Sequence, residues 1–331
     1  MNEIISKAKK AITLQTNPEA CLPKAARLIV TINCMYRCQM CTFWQEKHID
    51  PSLDTVKYWI KELVDFGVNE IDIGGGEPFV RNDLKEIIKE IKSRGMKCGL
   101  TTNGWLVTEE NFPDIDFCEI SLDGAKAETH DKIRGIKGSF ERVLRAAEIA
   151  RKKCPTHLNF VLQTDNYREL GEYCQLVKKL GLKTMIIPVS LKLAAQPKIS
   201  DCLSEYDLPT LKRQIKLALA SGVVMNNHEF LRMFLRKAEK GPYQHPCLVP
   251  QKCILIFVNG DVYPCGNFDE PVGNLAQGKS FKDIYDNYRE MRSRIHKGTH
   301  PFCNKCVYPD ITTPGTIRSS VLPYLKKTLL G

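Results

Sequence analysis

Short β-rich runs alternate along the first part of the chain with stretches whose apolar residues recur at helical spacing. The strand candidates are Arg27–Ile32, Glu70–Ile73, Lys97–Thr101, Phe117–Leu122, Leu158–Gln163 and Thr184–Val189. The helix candidates between them are Leu53–Phe66, Leu84–Arg94, Phe140–Lys153 and Tyr167–Leu180. Strands joined by helical crossovers predict a parallel sheet that binds ligands at the carboxyl ends of its strands. Six such units are too few to close an eight-stranded barrel, so we expect an α/β fold built as a partial (β/α)6 TIM-like barrel.

The pattern changes near residue 190, and residues 191–244 predict mostly helix with polar joints. Further on, the segment ILIFVNGDVYPC predicts a hairpin that turns at Asn259-Gly260, and a helix is expected over Ser280–His296. We therefore predict three parts: an N-terminal helical extension over 1–25, the partial barrel with its helical connector over 26–240, and a small cysteine-rich α+β domain over 241–331.

The net charge and the polarity of the 331-residue chain limit which partners and which cellular location we expect. The formal net charge is +10, but the lysines are scattered and form no basic stripe with interleaved aromatic residues, so nucleic acid is not an expected partner. A positive field could attract an anionic substrate or an acidic electron donor. A solvated lysine-rich surface with no partner is the alternative explanation of the charge. No apolar run approaches the roughly 20 residues that span a bilayer. The first residues also lack the apolar block of a secretory signal, so we expect a cytoplasmic protein with no membrane span.

The chain has 14 cysteines, and in a reducing compartment clustered cysteines more often bind metal than form disulfides. Cys34, Cys38 and Cys41 lie directly after the first predicted strand. Three thiolates can hold a 4Fe–4S cluster and leave its remaining iron open. An open iron can chelate the amino and carboxylate groups of S-adenosylmethionine (SAM) and pass an electron to its sulfonium. A zinc site is the alternative, with His48 as the one obvious nearby fourth ligand.

The spacing Cys34-x3-Cys38-x2-Cys41 resembles the signature of the radical SAM superfamily. The runs GGGEP at 74–78, TTNG at 101–104, SLDG at 121–124 and HDxxR at 130–134 also resemble segments of that family, in the same order. The resemblance implies a SAM site that includes Gly75, Gly76, Glu77, Pro78, Thr102, Asn103, Ser121 and Arg134. One position departs from the pattern: the residue before the third cysteine is often an aromatic that packs on the adenine, and here it is Met40. Methionine is flexible and polarizable, so we expect Met40 to line the same pocket.

A second group of cysteines lies in the last third of the chain: Cys247, Cys253, Cys265, Cys303 and Cys306. Their order around the predicted hairpin resembles the auxiliary-cluster domains called SPASM and twitch. The resemblance implies a second 4Fe–4S cluster held by Cys247, Cys265, Cys303 and Cys306. No cysteine follows Cys306, which resembles the shorter twitch form. Cys253 is either a spectator or a ligand in place of Cys247, and structural zinc is the alternative for the whole group.

The two resemblances together imply a radical enzyme. A reduced flavodoxin or ferredoxin would supply an electron, SAM would be cleaved to a 5′-deoxyadenosyl radical, and that radical would abstract hydrogen from a substrate C–H bond. The auxiliary cluster would relay electrons, which fits a net oxidation of a small molecule. The alternatives are a peptide-modifying enzyme of the same superfamily, an enzyme of cofactor or lipid biosynthesis, and a noncatalytic iron–sulfur or zinc protein. The general base stays open among Asp123, Glu77, Tyr263 and His245.

Overall fold

The computed structural model describes residues 21–46, 49–189, 205–226, 228–241, 247–266, 268, 270–304 and 306. The strands are β1 Ala25–Thr31, β2 Glu70–Gly75, β3 Lys97–Thr102, β4 Phe117–Ser121, β5 Thr156–Leu162, β6 Lys183–Pro188, β7 Cys253–Ile256, β8 Asp261–Tyr263 and β9 Gly273–Asn274. The helices are α1 Leu53–Phe66, α2 Leu84–Ser93, α3 Ala127–Arg134, α4 Ser139–Lys153, α5 Leu170–Lys179, α6 Leu208–Ala220, α7 His228–Lys240, α8 Phe281–Asn287, α9 Arg289–Lys297 and α10 Pro301–Asn304.

Strands β1 to β6 form a parallel sheet in sequential order, with helices on its outer face. This confirms the predicted α/β fold with its partial barrel, and all six predicted strands are present. Along β1 the side chains of Ala26, Leu28 and Val30 are buried against the helices. Because strand side chains alternate, Arg27 and Ile29 lie on the opposite face, toward the barrel interior.

Helix α1 shows why the predicted helices form where they do. The Ser52 hydroxyl caps its first turn by accepting a hydrogen bond from the backbone N–H of Thr55 at 3.2 Å. Its inward stripe of Val56, Trp59, Ile60 and Leu63 is at most 1% exposed. Each side chain of this size contributes about 1.5–3 kcal/mol when it is fully buried. The amphipathic stripe therefore fixes α1 against the sheet.

The sheet continues past the barrel into the C-terminal cysteine region. Strand β7 pairs in parallel with β1, with Ala25 opposite Cys253, and β8 and β9 follow antiparallel. The predicted hairpin is confirmed: Phe257 and Gly260 close its turn with a 2.9 Å backbone hydrogen bond. The sheet thus spans both sides of the boundary that we predicted near residue 240, and the three-part division stays a prediction. Most of the N-terminal extension lies outside the described residues.

Two helix predictions need correction. The single helix expected over Ser280–His296 is two helices, α8 and α9, because the backbone leaves helical geometry at Tyr288 (φ −102°, ψ 25°). Helix α3 was not predicted, since it buries the polar residues His130 and Arg134 and therefore lacks an apolar stripe. Within the described residues, no helix has the length and apolar character needed to cross a membrane.

Candidate metal and cofactor site

The first cysteine group occupies a loop at the carboxyl end of β1. Cys38 is buried, and Cys34 and Cys41 are half-buried. All three pack in one apolar cluster with the buried side chains of Tyr36 and Met40. The position fits the prediction that ligands bind at this edge of the sheet.

The C-terminal end of α3 holds this loop in place. The backbone N–H groups of Arg37 and Gln39 donate to the carbonyl oxygens of Arg134 and Ile133 at 3.2 and 3.0 Å. Gly135 follows with φ +71°, and a Cβ at that position would lie 2.5 Å from the Arg37 carbonyl oxygen. Only glycine fits both the left-handed backbone and this close approach. Helix α3, which lies far away in sequence, therefore sets the path of the cysteine loop.

The thiols face donors that suit sulfur ligands of a metal cluster. Cys34 Sγ accepts from the Tyr36 backbone N–H at 3.4 Å and from Asn103 Nδ2 at 3.6 Å. Arg134 Nη1 lies 3.9 Å from Cys38 Sγ. Burial raises the pKa of Cys34 to about 12 and also raises the pKa of Cys38 and Cys41. Bare thiolates are thus costly here, and binding to iron would stabilise them.

Glu77 connects the loop after β2 to the loop after β3 through hydrogen bonds. Its carboxylate is fully buried and accepts hydrogen bonds from the Phe79 backbone N–H at 3.1 Å, from Thr102 Oγ1 at 2.8 Å and from the Asn103 backbone N–H at 2.7 Å. Burial raises its pKa to about 7, although these hydrogen bonds oppose the shift. Glu77 therefore joins the end of β2 to the end of β3.

The glycines of the GGGEP run pack against the cysteine loop. A Cβ on Gly76 would lie 2.3 Å from the Asn33 carbonyl oxygen, and one on Gly75 would lie 2.1 Å from that of Thr31. Gly76 N–H also donates to the Thr31 carbonyl at 2.8 Å. Pro78 is buried and begins a short 3-10 turn. The glycines thus permit close approach of two protein backbones, and their contact with SAM stays a prediction.

Asp123 and Arg134 form a buried ion pair beside the cysteine loop. Arg134 Nη2 lies 2.6 Å from Asp123 Oδ2, and the two side chains are 10% and 0% exposed. Asp123 Oδ1 also accepts from the Val161 backbone N–H at 2.7 Å. His130 accepts the Asp123 backbone N–H through Nδ1, and burial lowers the pKa of this imidazole to about 3. The pair ties the end of β4 to α3, while Ser121 stands half-buried at the end of β4.

Several buried polar atoms at this edge have no hydrogen-bond partner among the described residues. They include Arg134 Nε, Gln163 Nε2 and Asn159 Oδ1. Such atoms are rare in native proteins, and a bound water or ion, strain or a catalytic role accounts for them. A polar ligand such as SAM fits this donor and acceptor set. Gln163 was not among the residues predicted from sequence, because a single glutamine after a strand carries no motif.

The barrel interior contains a polar network that the sequence did not reveal. Arg27 donates to Asp72 through Nε at 2.7 Å, to Thr101 at 2.9 Å and to Glu119 at 3.1 Å. His157 Nε2 lies 3.2 Å from the other oxygen of Glu119. Burial raises the pKa of Glu119, but His157 and Arg27 outweigh it and hold that pKa below its ordinary value. The Arg27 side chain stays 40% exposed, so the interior is accessible to solvent.

The second cysteine group packs around the hairpin. Cys247, Cys265 and Cys303 share an apolar cluster with Tyr263 and Phe268. Cys306 joins them through its backbone N–H, which donates to the Cys303 carbonyl at 3.2 Å. Burial raises the pKa of Cys303 to about 11. Four thiols on adjacent segments fit the donor set of a fully ligated iron–sulfur cluster.

Lys237 borders this group, whereas Cys253 lies outside its apolar cluster. Lys237 of α7 is buried, and its ammonium donates to the Cys306 carbonyl. Burial lowers the pKa of Lys237, whereas Cys306, Cys247 and Cys303 raise it through their proximity. Cys253 lies on β7 and outside the apolar cluster of the other cysteines, and it interacts electrostatically with Arg27.

In the described part of the chain, no three His, Cys, Asp or Glu side chains are grouped closely enough to hold a single metal ion. The cysteine ligands of a 4Fe–4S cluster bind different iron atoms and therefore lie farther apart than the ligands of a single ion. The observation therefore concerns only sites for a single metal ion.

Comparison with known proteins agrees with this geometry. Residues 28–177 match the family model described as the radical SAM superfamily, and residues 247–307 match the SPASM model, an iron–sulfur cluster-binding domain. An AdoMet-dependent heme synthase of Methanosarcina barkeri is 27% identical over 322 residues, which cover 88% of this chain and 91% of the relative.

Two solved structures share the fold. Streptococcus suis SuiB bound to its precursor peptide SuiA superposes with a TM-score of 0.64 at 16% identity, covering 96% of this chain and 80% of SuiB. The enzyme anSMEcpe with bound AdoMet superposes with a TM-score of 0.60 at 17% identity, covering 92% of this chain and 98% of anSMEcpe. The implied cofactors are a 4Fe–4S cluster, SAM and an auxiliary iron–sulfur cluster. The chain therefore contains a radical SAM domain over residues 28–177 and a SPASM domain over residues 247–307.

Proposed function

We propose that this chain oxidises a polar small molecule inside the partial barrel. When bound, the first cluster and SAM supply a 5′-deoxyadenosyl radical, which removes a hydrogen atom from a substrate C–H bond. An auxiliary cluster held by Cys247, Cys265, Cys303 and Cys306 would accept one further electron and a base would take one proton, so the net loss from the substrate would be two hydrogens. The auxiliary cluster has no open iron in this proposal, which leaves electron transfer as its natural role.

The proposal assigns the cysteines as follows. Cys34, Cys38 and Cys41 hold the first cluster, because they share one apolar pocket with Asn103 and Arg134 at its rim. The auxiliary cluster is held by Cys247, Cys265, Cys303 and Cys306. Cys253 is a spectator, since it lies outside the apolar cluster that contains Cys247.

The proposed SAM site combines the remaining predicted residues with Gln163. The carbonyls of Gly75 and Gly76 would face the methionine ammonium. Arg134 Nε and Gln163 Nε2 supply donors that lack protein partners among the described residues. The further lining is Met40, Thr102, Asn103 and Ser121, while Glu77 and Pro78 hold the loop. In this proposal Arg134 keeps Asp123 as its ion-pair partner.

One observation carries the assignment of a polar substrate. The inner faces of β1 to β5 present a solvent-accessible network of a guanidinium, two carboxylates, a hydroxyl, an amide and an imidazole: Arg27, Asp72, Glu119, Thr101, Asn159 and His157. Polar groups that line a solvent-accessible interior favour a ligand that can replace the hydrogen bonds of water. The heme synthase relative favours a substrate of cofactor biosynthesis, and porphyrins are the first class to assay.

A reduced flavodoxin or ferredoxin is the proposed electron donor, because the chain's net charge of +10 attracts acidic partners. The predicted cytoplasmic location is consistent with such a donor.

The test is turnover by the anaerobically reconstituted chain with SAM, a reductant and a porphyrin panel. We expect substrate-dependent 5′-deoxyadenosine and a product lighter by a hydrogen molecule, both detected by mass spectrometry. Arg27→Gln should reduce substrate-dependent turnover and spare the slow substrate-independent cleavage of SAM. The matched control is Arg145→Gln, since Arg145 is exposed on the outer helix α4. Equal turnover by the Arg27 variant and the native chain would show that the polar interior does not bind the substrate.

A further inference from the structure

A lysine lies buried beside the second cysteine group. Lys237 is 1% exposed, whereas Lys240, one turn further along α7, is exposed. Lysines are almost never fully buried unless their ammonium is paired, because taking the charge out of water is costly. The inward face of α7 is otherwise apolar, with Phe230, Met233 and Phe234 buried. A charged side chain on this face therefore needs a specific partner.

The contacts of Lys237 lead to the cysteines. Its ammonium donates to the backbone carbonyl of Cys306, and the Cys306 N–H donates to the Cys303 carbonyl at 3.2 Å. Cys247 and Cys303 also lie within electrostatic range of the ammonium. The ammonium therefore contacts the backbone of one assigned ligand residue and interacts electrostatically with three of the four cysteines that we assign to the auxiliary cluster.

We infer that Lys237 is a positioning residue that raises the reduction potential of the auxiliary cluster. The inference rests on the proposed cysteine assignment. A four-thiolate cluster carries net negative charge, and reduction adds one more electron. A nearby cation in a poorly solvated site favours the reduced form, and net charge and hydrogen bonding are known determinants of cluster potential. Lys237 thereby makes the cluster a better acceptor of the electron that leaves the substrate.

The test measures the potential of this cluster alone. Cys34, Cys38 and Cys41 are replaced by alanine together, which removes the first cluster, and the remaining one is titrated anaerobically with EPR detection. In this background Lys237→Gln should lower the ratio of reduced to oxidised cluster at fixed potential at least tenfold, which corresponds to about 59 mV for one electron. Lys237→Arg keeps the charge and should stay close to the parent. Lys240→Gln is the control for loss of a lysine from the same helix.

The iron content and the potential of the variants distinguish the possible roles of Lys237. Loss of iron in Lys237→Gln but not in Lys237→Arg or Lys240→Gln overturns the inference, because the charge is then needed to hold the cluster and does not act through its potential. An unchanged potential in Lys237→Gln overturns it, and so does equal loss of iron in the Gln and Arg variants, which would indicate packing alone. If the parent with its three alanines binds no iron–sulfur cluster, the proposed cysteine assignment fails first, and that failure is distinct from insensitivity to Lys237.

Discussion

The buried ion pair between Asp123 and Arg134 gives a sharp quantitative prediction. Asp123→Asn removes one charge and keeps an oxygen that can accept the Val161 N–H. Arg134 then holds an uncompensated charge in a site where it is only 10% exposed. Breaking a buried pair in this way costs about 3–5 kcal/mol, because the remaining charge cannot regain its hydration. Since domains are stable by only about 5–15 kcal/mol, we expect a large fall in stability.

Urea unfolding of the metal-free, reduced chain, followed by the fluorescence of its tryptophans, would measure this loss. The control is Lys61→Gln, which breaks the exposed pair with Asp65 (2.6 Å; side chains 53% and 56% exposed) and should cost about 0.3–0.5 kcal/mol. The double variant Asp123→Asn/Arg134→Met should recover part of the loss, because it leaves no buried charge. A cost below about 1 kcal/mol for Asp123→Asn alone would refute the reasoning.

Four further predictions follow from the two cysteine groups and their supports. Cys34→Ala should abolish 5′-deoxyadenosine formation, and persistent reductive cleavage of SAM after reconstitution would contradict the assigned ligand. Cys303→Ala should spare SAM cleavage and stop substrate turnover, whereas equal loss of both, measured by mass spectrometry, would indicate a structural role. Gly135→Ala should lower the iron content of the first site several-fold by displacing the cysteine loop, and normal iron content would count against that contact. Because burial raises the pKa of Glu77 to about 7 from an ordinary 4.5, its contribution to stability is full below pH 4.5 and is lost as the pH rises toward about 7. The native chain should thus lose up to about 3 kcal/mol relative to Glu77→Gln between pH 4.5 and 8 in urea unfolding, and a pH-independent difference would argue against the shift.

Residues close in sequence made much of the first site predictable. Three cysteines within one loop and glycines after a strand leave a local pattern, and the alternation of apolar runs located the six parallel strands. The interior network left no such pattern. Arg27 and Glu119 lie 92 positions apart, and only the strand order brings them together. A lone charged residue in a strand does not indicate its partner.

Helix α3 and Lys237 were missed for a related reason. Amphipathic patterns assume that charged side chains face water. In α3 two of the three buried positions are held by His130 and Arg134, and in α7 one is held by Lys237, so the pattern assigns these faces wrongly. Whether a charged side chain can be buried depends on partners from other parts of the chain.

The parallel pairing of β7 with β1 has an evolutionary consequence. Strand β1 leads directly into the first cysteine loop, and β7 begins the hairpin that bears Cys265. Neighbouring strands keep a spacing of about 4.8 Å whatever happens elsewhere in the chain. The positions of the two cysteine groups are thereby linked by a backbone ladder, so the parts of the connector between β6 and β7 that bear neither Lys237 nor Cys247 are free to diverge. Sequence changes in those parts would leave the pairing of β7 with β1 intact.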